Sequence, residues 1–438
     1  MSAEPTGPRR PGRAVTVVTA LAAAGAVTVA VLAGAVMLLA AAMATPTPTV
    51  FVAAGAATFL VVDALGAALV ARRTEPRRRR MAGWSLFASS VGLALVASFV
   101  VALAPAPMAP AAGPAGSREV GLADGSWLSV LRLPARGAAH GPPIVVLHGG
   151  PGIPDLAANT AALAPLTAQG RDVYVYAQRG SDGSARLPDP RGYSRDRDVI
   201  DLETLRSTLA LDRMVLLGHS HGADVAAAYT AAHREHVERL VLVSPGPLDP
   251  ADTSPTRATA DLDLRRKIQQ YAHVLAPRPL LGYLLLQVNP RAAHAFLGDK
   301  EADARNDAVL TLAEPALFCH GPPPGLPPVT GSGFYALQYP QSTTAFAPID
   351  IRPALTGLPT PTLIVKGGCD YQSWRSAIDY RNRLPHADLL YLPDAGHNAQ
   401  QDQPAAFLAA VTAFLHDQAV PGDLITNDAV PPGYRGPP

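Results

Sequence analysis

Cysteine, lysine and charge are all scarce in this chain. Only two cysteines occur in 438 residues, Cys319 and Cys369. Two are too few for a disulfide-framed scaffold, and no Cys/His cluster has the spacing of a metal site. Lysine occurs only at positions 267, 300 and 366, and charged residues make up 16% of the chain. No basic stripe interleaved with aromatics exists, so nucleic acid is not an expected partner. The net charge of +1 hides an asymmetry: residues 1–110 hold nine arginines and three acids, +6, which leaves −5 for the rest.

Apolar residues are plentiful, and they concentrate first at the N-terminus. Ala14 to Ala44, Val50 to Ala71 and Met81 to Ala104 are each long enough to cross a hydrocarbon core, and Asp63 is the only charge within them. An ionisable group in such a segment is costly and invites a functional or an interfacial reading. Arginines cluster before the first stretch (Arg9, Arg10, Arg13) and between the second and third (Arg72, Arg73, Arg77 to Arg80). Positive loops stay in the cytoplasm. The expected topology is three transmembrane helices over residues 1–104, with everything beyond residue 105 extracytoplasmic in a multi-pass cell-membrane protein. Ala42-Met43-Ala44 resembles a signal-peptidase site, but the preceding run is far longer than a signal h-region of 7–15 residues.

Residues 105–117 are rich in Pro, Ala and Gly and read as a linker. From 118 to 418 the pattern is that of one α/β domain. Glu119 to Leu122 and Trp127 to Leu133 flank Asp124-Gly125 as a hairpin. Then Ile144 to Leu147, Val173 to Tyr176, Met214 to Leu217, Leu240 to Val243, Thr362 to Val365 and Leu389 to Leu392 form short apolar runs alternating with helical patterns. Runs apolar on both faces suit a mostly parallel sheet covered by helices on both sides. The alternation breaks at about 245–359, too long for a loop and helical in period, which reads as a cap over the sheet. Residues 419–438, rich in Pro and Gly, are expected to be disordered.

The chemistry begins at Gly218-His219-Ser220-His221-Gly222. This G-x-S-x-G follows the apolar run 214–217 and precedes a run of alanines, the strand, sharp turn and helix of a nucleophile elbow. A serine hydroxyl needs a base to take its proton and a carboxylate to orient that base. Asp370 and His397 follow two later strands in the chain order Ser, acid, His. Asp394 also lies in the His loop but reads as a turn-former. Two N–H donors should face the developing oxyanion: His221, after the nucleophile, and Gly150, in His148-Gly149-Gly150-Pro151-Gly152 after the first central strand. No metal and no organic cofactor is implied.

The His148 to Gly152 loop, Gln178-Arg179-Gly180-Ser181-Asp182-Gly183-Ser184, the elbow, Gly367-Gly368-Cys369-Asp370 and Ala395-Gly396-His397 together resemble the proline iminopeptidase branch of the α/β-hydrolase superfamily, over about residues 118–418. The resemblance implies a capped serine hydrolase that releases N-terminal residues, often proline, from short peptides. It also implies cap carboxylates that bind the free α-amine, and Asp299-Lys300-Glu301-Ala302-Asp303 is the best match, with Glu301 and Asp303 as anchors. The chain departs from the family at the elbow, similar to GGSWG there, and at Ala177, where the family has Asp. The expected function is a membrane-anchored extracytoplasmic aminopeptidase acting through an acyl-enzyme. An esterase or lipase-like hydrolase of small acyl compounds is the alternative, and a non-catalytic binding module the third.

Overall fold

Runs of buried apolar residues mark the central strands, because a strand covered on both faces has no solvent side. β3 (Ile144–Leu147) and β4 (Val173–Tyr176) are buried at every position. In the computed structural model they join β1 (Arg118–Gly121), β2 (Trp127–Leu133), β5 (Met214–His219), β6 (Val237–Val243), β7 (Thr362–Gly367), β8 (Ala387–Leu392) and β9 (Asp423–Leu424) in one sheet, ordered β1-β2-β4-β3-β5-β6-β7-β8-β9. Pairing from β4 through β8 is parallel, and β1, β2 and β9 add antiparallel edges. The structure describes residues 13–72, 88–93, 114–249, 262–342 and 349–438.

These residues form two compact units, one of residues 106–279 with 298–438 and one of residues 1–105 with 280–297. In the first, alternate strand residues feed two cores. Val145, Leu147 and Leu216 pack beneath the helices α4 (Arg195–Thr208), α5 (His221–Ala232) and α12 (Trp374–Arg383). Ile144, Val146, Val215 and Leu217 pack beneath α3 (Leu156–Leu163) and α14 (Pro404–Leu415). The insertion after β6 is helical: α6 (Leu264–Val274), α7 (Pro277–Val288), α8 (Pro290–Phe296), α9 (Asp299–Ala313), α10 (Phe334–Ser342) and the single turn α11 (Arg352–Leu355). Its residues 250–261 and 343–348 lie outside the described residues. A last short helix, α13 (Ala399–Asp402), follows the His397 loop.

The tail corrects an expectation. Residues 421–438 are not disordered: β9 pairs with β8, Arg435 N donates to Gly368 O at 2.7 Å, and Trp374 N donates to Pro437 O at 2.8 Å. Proline and glycine there serve a tight wrap around the loop that carries Asp370, a long-range contact that composition does not encode.

In the second unit, α1 (Arg13–Ala44) and α2 (Pro48–Arg72) are long and apolar enough to cross a membrane. Phe51, Gly55, Phe59 and Asp63 recur every four residues and form the buried face of α2. A Cβ on Gly55 would stand 2.9 Å from Gly34 O, so these two helices approach as closely as small residues allow. Residues 88–93 of the third apolar stretch are helical. The rest of that stretch, and residues 105–113 of the linker, lie outside the described residues. The segment Leu280–Leu297 belongs to this unit: Asn289 Nδ2 donates to Ala42 O at 2.8 Å, and the Phe51 and Phe296 rings lie 6.4 Å apart.

Candidate active site

Ser220 directly follows β5 and caps α5 with φ 54 and ψ −120, a strained conformation that surrounding structure must impose. Glycine makes it possible. A Cβ on Gly222 would fall 2.2 Å from Leu147 O, and one on Gly218 2.3 Å from Gly222 O. The loop after β3 lies against the elbow, since a Cβ on Gly149 would meet Ser220 Cβ at 3.1 Å. His148 fixes that loop: its Nε2 accepts from Gln178 N at 2.8 Å and its Nδ1 meets Gly149 O at 2.8 Å. Burial lowers its pKa to about 4, so it serves here as a neutral bracket with the proton on Nδ1.

β7 and β8 deliver the other two expected partners. His397 Nδ1 donates to Asp370 Oδ1 at 2.7 Å, and both side chains are buried. Asp370 Oδ2 accepts from Lys366 Nζ at 2.8 Å, and Asp370 Oδ1 accepts from Gln372 N at 3.0 Å. Burial opposes ionisation of Asp370, yet Lys366 and His397 outweigh it and hold the carboxyl below the usual carboxylate range. Asp394 is exposed beside His320 at 3.7 Å, as a turn-former should be.

The structure adds a residue that the sequence did not single out. The Tyr371 hydroxyl lies 3.2 Å from His397 Nε2. The two rings stack with centroids 4.2 Å apart. Burial, then the Asp370 charge, raises the phenol's pKa, so it stays neutral and donates to the imidazole. The phenol therefore occupies the Nε2 side of His397. His219 Nε2 donates to His397 O at 3.0 Å, and His221 Nε2 meets Asp198 Oδ2 at 3.2 Å; burial lowers the His219 pKa to about 3.

A cavity of about 290 Å³ opens on this group, lined by Ser220, His397, Tyr371, Gly149 and Gly150, with Ile153, Val309, Leu310, Leu317, Val329 and Leu337 as apolar walls. Among the described residues, its carboxylates are Asp155 and Glu314. Burial raises the Asp155 pKa to about 6 against a hydrogen bond from Gln401. Burial and then Asp155 itself raise that of Glu314, so the two carboxylates feel each other. Glu301 and Asp303 are elsewhere. Glu301 accepts from Arg278 at 2.7 Å and Arg305 at 2.9 Å. Asp303 accepts from Arg186 at 2.9 Å and Phe334 N at 2.8 Å. The expected amine anchors are thus structural ion pairs of the cap, and neither lines the cavity among the described residues.

The two cysteines are bonded: Cys319–Cys369 has a Cα separation of 5.3 Å. This joins the cap segment that follows α9 to the residue before Asp370. Asp402 adds a second tie, accepting from Cys319 N at 2.8 Å and Gly396 N at 2.7 Å.

A parallel sheet, an elbow at the end of a central strand and an Asp–His pair from the last two parallel strands define the α/β hydrolases. Residues 142–404 match the alpha/beta hydrolase fold family, and the chain belongs to it; it is a hydrolase of that superfamily. It is 27% identical over 297 residues to a proline iminopeptidase of Levilactobacillus brevis, covering 63% of this chain and 89% of that one. It is 26% identical over 291 residues to the sn-1-specific diacylglycerol lipase ABHD11 of Danio rerio, covering 64% and 80%. Among solved structures, an esterase from Exiguobacterium antarcticum superposes with a TM-score of 0.50 at 18% identity, over 68% of this chain and 98% of the other.

Proposed function

We propose that this chain is a membrane-anchored serine hydrolase, an aminopeptidase of the proline iminopeptidase kind whose catalytic domain lies outside the cytoplasm. Ser220 attacks the carbonyl while His397, oriented by Asp370, takes its proton through Tyr371 and returns one to the leaving amine. The Gly150 and His221 N–H groups hold the oxyanion, and water then hydrolyses the acyl-enzyme. The observation that carries the peptidase reading is the pair Asp155 and Glu314 in the same cavity as Ser220. A free α-amine entering there sets a cation beside two carboxyl groups that otherwise disfavour each other's ionisation, which stabilises their charged forms. The similarity to proline iminopeptidases supports the same reading. Two N-terminal helices of membrane length support the anchor, and the arginine clusters support the orientation.

The apolar walls favour a second reading, an esterase of small acyl compounds, in line with the lipase relative. The two separate on one experiment: prolyl and alanyl arylamides with a free amine, the same compounds N-acetylated, and a short p-nitrophenyl ester. Turnover that requires the free amine supports the aminopeptidase. Cleavage of the ester alone supports the esterase.

A further inference from the structure

Residues 431–438 lie on the loop that follows β7 and carries Asp370. Arg435 N donates to Gly368 O at 2.7 Å. Trp374 N donates to Pro437 O at 2.8 Å, which gives the first N–H of α12 a partner that the helix itself cannot supply. A Cβ on Gly436 would collide with Asp370 O, so backbone meets backbone there. The same loop is tied to the chain that leads to His397: Gly368 N donates to Leu392 O at 2.8 Å and Cys369 N to Ala395 O at 2.9 Å.

One side chain of this segment reaches the site through a single residue. The Tyr434 hydroxyl donates to Gln372 O at 2.8 Å. Gln372 O also accepts from Lys366 Nζ at 2.9 Å, and Gln372 N donates to Asp370 Oδ1 at 3.0 Å. Asp370 meets Nδ1 of His397, and Tyr371, the residue before Gln372, faces Nε2. Burial, and next the Asp370 charge, raise the Tyr434 pKa, which keeps its hydroxyl protonated and a donor. The ring packs edge-on against Trp374 with centroids 5.3 Å apart, an anchor that does not depend on the hydroxyl.

We propose that Tyr434 is a positioning residue for hydrolysis, holding Asp370 and Tyr371 in place on the two nitrogens of His397 through Gln372. The inference rests on the serine-hydrolase reading above, in which Asp370 orients the base. Lys366 and Asp370 are both 0% exposed, and a charge pair of that kind is strong only while water is kept away. The segment that bears Tyr434 covers their loop. Among the described residues none of 431–438 lines the Ser220 cavity, so Tyr434 acts on turnover through the loop and not by touching substrate.

The test uses the whole chain in nanodiscs. The proton between His397 Nδ1 and Asp370 should give a far-downfield resonance in proton NMR, identified by its loss in Asp370→Asn. Tyr434→Phe removes the hydroxyl and leaves the ring on Trp374. The expected result is a shifted or broadened resonance and a kcat about 5-fold lower, the factor that one net hydrogen bond corresponds to, with KM changed far less. Tyr434→Ala should go further on both readouts. Val241→Ala, in the buried part of β6, is the control for lost stability and should keep the resonance and kcat of the parent. An unchanged resonance and kcat in both Tyr434 variants overturns the proposal. Equal changes in Val241→Ala and Tyr434→Phe at matched unfolding midpoints also overturn it, because the effect is then general loosening of the fold. A parent that shows the resonance but hydrolyses neither amine nor ester substrates fails the hydrolase reading instead, while the resonance still tests Tyr434.

Discussion

Lys366 Nζ lies 2.8 Å from Asp370 Oδ2, and both side chains are 0% exposed. A lysine fully enclosed in the core of a sheet is a large desolvation cost, and burial lowers its pKa while Asp370 opposes the shift. The pair holds the carboxylate that orients His397 in one position and keeps it ionised. Its second partner, Gln372 O at 2.9 Å, fixes the turn that presents Tyr371.

Breaking such a pair from one side leaves an unpaired buried charge. Lys366→Met is expected to destabilise the hydrolase unit by about 3–5 kcal/mol, read as a shift of the urea unfolding midpoint. Lys366→Met with Asp370→Asn should recover much of that loss without recovering activity. A double variant as unstable as the single would show that the pair is not the source.

The proposed proton relay through Tyr371, whose hydroxyl faces His397 Nε2, makes its own prediction. Tyr371→Phe should lower kcat by about 100-fold, the size of a lost proton-transfer partner, with KM changed far less. The solvent isotope effect should fall with it. A variant as fast as the parent would mean that substrate displaces the phenol and Ser220 reaches His397 directly.

Asp155 sets a pH dependence for binding. Its carboxyl, raised to about 6, is ionised above that pH and neutral below it. Affinity for a free-amine substrate should therefore fall as pH drops through about 6, while KM for an ester stays level. Asp155→Asn should remove this dependence and raise KM for the amine substrate by about 10- to 100-fold, the value of a hydrogen bond to a charged group.

The disulfide closes a loop of 50 residues between cap and acid loop. Chain entropy alone assigns it about 4 kcal/mol. Reduction, or Cys319→Ser with Cys369→Ser, should lower the unfolding midpoint accordingly. Hydrolysis should fall as well, because Cys369 adjoins Asp370.

The strands were legible because burial on both faces leaves unbroken apolar runs: Ile144–Leu147 and Val173–Tyr176 match to the residue. The Asp–His pair was legible because its members follow strands in a fixed order, and Asp370 and His397 do meet. Lys366 carried a signal that went unread, a lone lysine in an otherwise apolar strand. Asp155, Glu314 and Tyr371 carried none, since which side chains line a cavity depends on how the cap packs. Glu301 and Asp303 look like solvated charges or ligands in sequence. Only the fold brings them Arg278, Arg305 and Arg186.

The proposed mechanism stands on Ser220 as the nucleophile. The direct measurement is to treat the full-length chain with a fluorophosphonate, map the adduct by peptide mass, and compare turnover with Ser220→Ala. The adduct is predicted on Ser220, with turnover of every substrate falling by at least about 10⁴-fold in the variant. An adduct on another residue, or a Ser220→Ala enzyme that still turns over, would contradict the mechanism at its root.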